Sequence, residues 1–147
     1  MNSLSQVKKE VDQLVDRLGY PIDNGIKRVV AVLRLVGFHT TASCEGHICS
    51  GLPYPWVDIN NGPEFGQRDT AERQALQVLL DEFYKDRYWK FVKLARFGIF
   101  GACRMMPYDD INMEGDKNPE MRLFYLNSMN EFVEWLLKKY ENSRASS

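Results

Sequence analysis

A chain of 147 residues, 44% hydrophobic and 12% aromatic, is the size of one ordinary domain and holds enough apolar material for a single core. Its 19 Lys and Arg against 20 Asp and Glu leave a formal charge of -1, which argues against bulk nucleic-acid binding and leaves room only for a local basic groove. No apolar run is long enough to span a bilayer, the opening MNSLSQVKKEVDQLVDRL lacks the apolar stretch of a secretory signal, and three cysteines is a count that suits reduced thiols. A cytoplasmic protein with no membrane partner is therefore expected.

In chain order, Leu4, Val7, Val11, Leu14, Val15 and Leu18 recur at spacings of three and four, which predicts an amphipathic helix over residues 3 to 18 that Gly19 ends and Pro21 keeps from resuming. Asp23 or Asn24 can cap a second helix running to about Val36, with Gly37 as its C-terminal residue; Ile26, Val29, Val30, Val32, Leu33 and Val36 cover more than one face, so it is mostly buried. Extended chain follows from Phe38 to Ala42. A second strand is expected at Trp56 to Ile59, between Pro55 and the turn-rich NNGPEFG. Asp69 or Thr70 can cap a third helix, whose apolar stripe takes in Ala75, Leu76, Val78, Leu79, Leu80 and Phe83 and which ends near Tyr84. Trp89 to Arg96 and Ile99 to Met106 read as a β-hairpin through Phe97-Gly98. Asn118-Pro119-Glu120 starts a last helix that runs to about Tyr140 on an inner face of Met121, Tyr125, Met129, Phe132, Val133, Leu136 and Tyr140, with residues 141–147 as a frayed tail. The whole is one α+β domain over 1–147, of order ααββαββα, with a small, largely antiparallel sheet packed by helices on one face. Phe124, Tyr125 and Trp135 lie on different flanks of the last helix, more than one core can take up, which leaves a homo-oligomer open.

The chemistry concentrates between Gly37 and Asp58, GFHTTASCEGHICSGLPYPWVD, which holds both histidines and two of the three cysteines. Ser43, Gly46, Ser50 and Gly51 let backbone N–H groups approach an anion closely, and Thr40, Thr41 and His47 add donors. Trp56, set by two prolines with Tyr54 beside it, offers a face to a planar ring, while Glu45 or Asp58 can accept from ribose hydroxyls or a base amine. Arg104, with Arg34 and Arg96, is a candidate to complete the anion site. Two other chemistries compete for the same stretch. His39, Cys44, His47 and Cys49 supply four nitrogen and sulfur ligands of the kind zinc takes. Cys44 and His47 could equally act as a nucleophile and its base, with Glu45 or Asp58 orienting the imidazole.

The run Thr40-Thr41-Ala42-Ser43-Cys44-Glu45-Gly46-His47, after a buried helix and a Gly-Phe step, resembles the strand-and-loop signature of the wybutosine-synthesising tRNA methyltransferase family, a Thr-Thr-x-Ser-Cys-x-Gly run ending in Arg. The resemblance implies a loop that helps line a nucleotide or S-adenosylmethionine pocket, and it carries over Thr40, Thr41, Ser43, Cys44 and Gly46; His47 departs from the family's Arg, which puts a tRNA-backbone contact in question. SCEGH together with PYPWVD is also similar to segments of small bacterial and phage proteins. The expectation drawn from all of this is a small binding protein for a nucleotide-like anionic ligand, in one version a phage-type protein that sequesters a signalling nucleotide, with no cofactor. The alternatives are an enzyme acting through Cys44 and His47 on a nucleotide or nucleic-acid substrate, by hydrolysis or methyltransferase-like group transfer, and a zinc-binding domain.

Overall fold

The computed structural model describes residues 3–15, 19–47, 52–59, 71–97, 102–108 and 118–146. Helix α1 (Leu4–Gln13) starts in a capping box: Ser3 Oγ accepts from the Gln6 N–H at 3.2 Å and Gln6 Oε1 accepts from the Ser3 N–H at 2.8 Å. Val7 and Val11 are its buried residues. The helix stops five residues short of the expected end, because Leu14 turns extended and Val15 pairs with Pro21 in an isolated antiparallel bridge. No basic residue stands in its last turn to meet the negative end of the helix dipole, and Asp12 there pairs instead with Lys27 at 3.0 Å. Val15, expected on the inner face, is 61% exposed.

A 3₁₀ turn at Asn24–Ile26 leads into α2 (Lys27–Val36), in which every residue from Val29 to Leu33 is buried. Gly37 closes it in the left-handed region at φ +112, as expected of a C-terminal glycine. The two hairpin-like pairs that follow are β1 (Thr40–Cys44) with β2 (Trp56–Ile59) and β3 (Val92–Phe97) with β4 (Ala102–Pro107), separated by α3 (Ala71–Tyr84). β2 and β4 join them into one sheet of order β1-β2-β4-β3, antiparallel throughout. Of the expected α3 stripe, Leu76, Leu80 and Phe83 are buried together with Tyr84, whereas Ala75 and Val78 face solvent. The caps proposed for α3 and Gly98 of the proposed turn lie outside the described residues, while Phe97, expected in that turn, ends β3 opposite Ala102.

Helix α4 (Pro119–Ala145) opens on Asn118, whose Oδ1 accepts from the Glu120 N–H at 2.9 Å. It continues through the residues expected to fray, since Arg144 suits the negative dipole end and stands 5.5 Å over the Tyr140 ring. Its buried face is Leu126, Met129, Phe132, Val133, Leu136 and Leu137, and Met121, Tyr125 and Tyr140 fall at the margins. Trp135 stacks on Phe132 and leans on Phe83 at the edge of the core, whereas Phe124 turns outward against Phe91.

Strand alternation sorts the sheet into two faces. Val57, Ile59, Leu94, Cys103 and Met105 join the helices in one core. Trp56, Asp58, Arg104 and Met106 stand on the opposite face. The polar stretch is therefore carried by the β1 end of a packed scaffold, and no described helix is long and apolar enough to cross a membrane.

Candidate functional site

The register of β2 and β4 sets Asp58 directly opposite Arg104. The two meet as a bidentate ion pair, Nε to Oδ1 at 2.6 Å and Nη2 to Oδ2 at 3.1 Å, with only 5% and 4% of each residue exposed. Trp56, two residues before Asp58 and on the same face, receives the Arg104 guanidinium over its ring at 3.8 Å from the centroid. Asp58 and Arg104 were expected to hold a ligand; their charges are instead satisfied by each other, and one face of Trp56 is taken.

The loop after β1 is clamped to the start of α2 by reciprocal hydrogen bonds. Asp23 Oδ2 accepts from the Glu45 N–H at 3.1 Å, and Glu45 Oε2 accepts from the Gly25 N–H at 2.8 Å. Glu45 thus caps the 3₁₀ turn before α2, while Asp23, the expected cap, makes no capping bond. A Cβ at Gly25 would lie 2.2 Å from that carboxylate oxygen, so any side chain here displaces the Glu45 carboxylate. Gly46 takes φ +94 and fits against the Tyr54 backbone, which a Cβ would approach to 2.9 Å. Arg122 Nη1 reaches across from α4 to donate to the Glu45 carbonyl at 3.2 Å.

This clamp gathers Asp23, Cys44 and His47, whose ligand atoms all lie within 4.8 Å of one another. His47 Nε2 stands 3.2 Å from Asp23 Oδ2, and Cys44 Sγ accepts from the Gly46 N–H at 3.3 Å. Burial pushes the Cys44 thiol up; the Gly46 N–H offsets this in part, and the Asp23 carboxylate raises it further. A thiol held protonated in this way is poorly set up as a nucleophile. His39, of the expected zinc set, is exposed, and its backbone N–H donates to the Glu72 carboxylate; Cys49, Ser50 and Gly51 lie outside the described residues.

Between β1 and the connection from α1 to α2 lies a cleft of about 370 Å³. Arg34, Thr40, Thr41, Ser43, Trp56 and Tyr20 line it, with an apolar wall from Leu14, Val15, Pro21 and Ile22. Arg34 is fixed from below, Nε donating to Thr40 Oγ1 at 2.7 Å and Nη2 to the Thr40 carbonyl at 3.0 Å. Among the described residues its third nitrogen, Nη1, has no hydrogen-bond partner. A larger groove of about 770 Å³ is lined by Tyr88, Trp89, Phe91, Tyr108, Phe124 and Tyr125, with Lys90 its one charged residue among those described. It shares no residue with the stretch from Gly37 to Asp58.

The expected ligand residues therefore separate into three groups. Thr40, Thr41, Ser43 and Trp56 share the cleft; Glu45, Gly46 and His47 belong to the clamp; Asp58 and Arg104 form the buried pair. Sequence reasoning missed Tyr20 as a cleft residue and read Asp23 only as a helix cap. The Pro-Ile-Asp-Asn run looks like an ordinary helix start, and nothing local marks a carboxylate that turns toward a loop 22 residues on. No protein-family model, no curated protein and no solved structure matches the chain.

Proposed function

We propose that this chain binds a small anionic, ring-bearing ligand of the nucleotide class in the cleft beside β1 and holds it without converting it. The observation that carries this reading is the presence, in one concavity, of a pre-positioned guanidinium, three aliphatic hydroxyls and two aromatic rings. The volume falls at the small end of the range for ligand sites. Arg34 is held by Thr40 before any ligand arrives, so little side-chain entropy is lost when Nη1 donates to a phosphate oxygen. Ser43 supplies a further donor from β1, while the Thr41 hydroxyl, which donates to the Asp58 carbonyl at 3.5 Å, offers an acceptor. Trp56 has one face against Arg104 and can stack a base through the other. Binding without turnover fits a site in which Cys44 is kept a neutral thiol and Asp58 is consumed by an ion pair, leaving the cleft without an activated nucleophile among the described residues.

Titration calorimetry with a panel of nucleoside mono-, di- and triphosphates, cyclic nucleotides, the free nucleosides and inorganic phosphate tests the reading. A nucleotide is expected to bind more tightly than either phosphate or nucleoside alone. Arg34→Gln is expected to weaken it about 10- to 100-fold, the worth of a charge-assisted hydrogen bond. Ligand recovered after heat denaturation should be chemically unchanged. Absence of binding across the panel, or recovery of an altered ligand, overturns the proposal.

A further inference from the structure

We propose that Asp23, Cys44 and His47 form a binding site for a divalent cation of the zinc class. The three donors come from two segments, one at the start of the turn before α2 and one at the end of β1, and the fold brings their ligand atoms within 4.8 Å of one another. Tetrahedral zinc with bonds of about 2.0 to 2.3 Å sets its ligand atoms about 3 to 4 Å apart, so modest closure around an ion completes the geometry. One sulfur, one imidazole nitrogen and one carboxylate oxygen make a borderline set that suits zinc or cobalt and is wrong for magnesium or calcium, which take oxygen ligands.

Each donor is held by a hydrogen bond that a cation would leave in place. The Gly46 N–H donates to Cys44 Sγ at 3.3 Å and the Glu45 N–H to Asp23 Oδ2 at 3.1 Å. The His47 N–H donates to the Leu52 carbonyl at 2.9 Å, which anchors the backbone from which the imidazole projects. Such outer bonds orient ligands and favour the thiolate that a metal needs. Within the trio, an ion would replace the 3.2 Å contact between His47 and Asp23 and the side-chain hydrogen bond between Cys44 and Asp23. Glu45, adjacent in sequence, is not a fourth ligand, because its carboxylate is turned back onto the Gly25 N–H. Among the described residues, three protein donors with an exposed His47 leave the fourth tetrahedral position to water or to an incoming anion. Asp23 follows directly on Pro21 and Ile22 of the cleft wall, and Cys44 is the strand partner of Trp56, so a cation here would add positive charge at the end of the cleft.

The test uses the metal alone, on full-length chain freed of metal by dialysis against a chelator, and is independent of the nucleotide panel. Titration with cobalt(II) is expected to develop a thiolate-to-metal charge-transfer band and tetrahedral visible bands that saturate at a single equivalent, and zinc(II) is expected to displace them. Cys44→Ser should remove the charge-transfer band. His47→Ala, a change at an exposed position, and Asp23→Asn should each weaken cobalt binding about tenfold or more. His39→Ala should leave affinity and spectrum unchanged. Circular dichroism confirms that each variant is folded. No band at excess cobalt, a band that persists in Cys44→Ser, or full affinity in the folded His47→Ala variant overturns the proposal.

Discussion

Replacing Asp58 by Asn keeps the side chain's shape and removes its charge, which leaves the Arg104 guanidinium buried beside a neutral amide. The native pair is bidentate, at 2.6 and 3.1 Å, and both residues are at most 5% exposed, so water cannot substitute for the lost carboxylate. Breaking a buried pair by removing one partner costs about 3–5 kcal/mol, and a domain of this size has about 5–15 kcal/mol in total. With a urea dependence of roughly 2 kcal/mol per molar, the unfolding midpoint should fall by on the order of 2 M. Arg104→Met should cost a similar amount and additionally strip the cation from the Trp56 ring, worth about 0.5–2 kcal/mol. The informative variant is the double change Asp58→Leu with Arg104→Met. It removes both desolvated charges together and should recover most of the loss, so the cycle it closes with Asp58→Leu alone and Arg104→Met alone is strongly non-additive. Urea unfolding followed by circular dichroism gives the four corners of that cycle and the Asp58→Asn value. A loss below about 1 kcal/mol for Asp58→Asn, the range of a solvated surface pair, or simple additivity in the double variant, would refute the account of a sealed ion pair.

The clamp and the core make their own predictions. Gly25→Ala should cost about 1–3 kcal/mol, because the Glu45 carboxylate 2.2 Å from the new Cβ must give up the Gly25 N–H to move away. Glu45→Ala alone should cost about 1 kcal/mol as a lost cap, and the two changes together little more than that; additive losses in urea unfolding would contradict the contact. Cys103, on the helix-facing side of β4, is pushed up to about 11 from 9.0, chiefly by burial, with Arg73 opposing and Asp58 and Glu72 adding. Its folded value lies above its unfolded one, so its contribution to stability is complete below about pH 9 and falls as pH rises toward 11, when the unfolded chain ionises and the folded one does not. The wild type should therefore lose about 2–3 kcal/mol more than Cys103→Ala across that window, and parallel pH profiles of the urea midpoint would disprove it.

The order of elements was legible because its signals are local. Gly37 ends α2, Asn118-Pro119-Glu120 starts α4, and the aromatic and apolar runs either side of Phe97-Gly98 mark a strand pair, each readable from a few neighbouring residues. The length of α1 was misread because Leu14 and Val15 continue the apolar spacing although the chain has already turned to pair Val15 with Pro21. For the site, sequence picked the right stretch and several right residues but could not group them. Asp58 and Arg104 were both singled out, and only the β2–β4 register reveals that they satisfy each other. Asp23 was seen as a cap because cap and loop anchor use the same acceptor oxygens, and the partner that decides between them, Glu45, is 22 residues away.

The seam between β2 and β4 also bears on how the chain finds its sheet. Each strand pair can form between neighbours in sequence, but joining them closes a loop that spans α3 and β3, the non-local step that slows folding of such topologies. At that step a slip of one residue would turn Arg104 from the polar face into the apolar core beside Val57 and Ile59, an unpaired cation among hydrocarbon. The ion pair across the seam thus adds to the apolar alternation of β2 and β4 in favouring the native strand alignment as the sheet assembles.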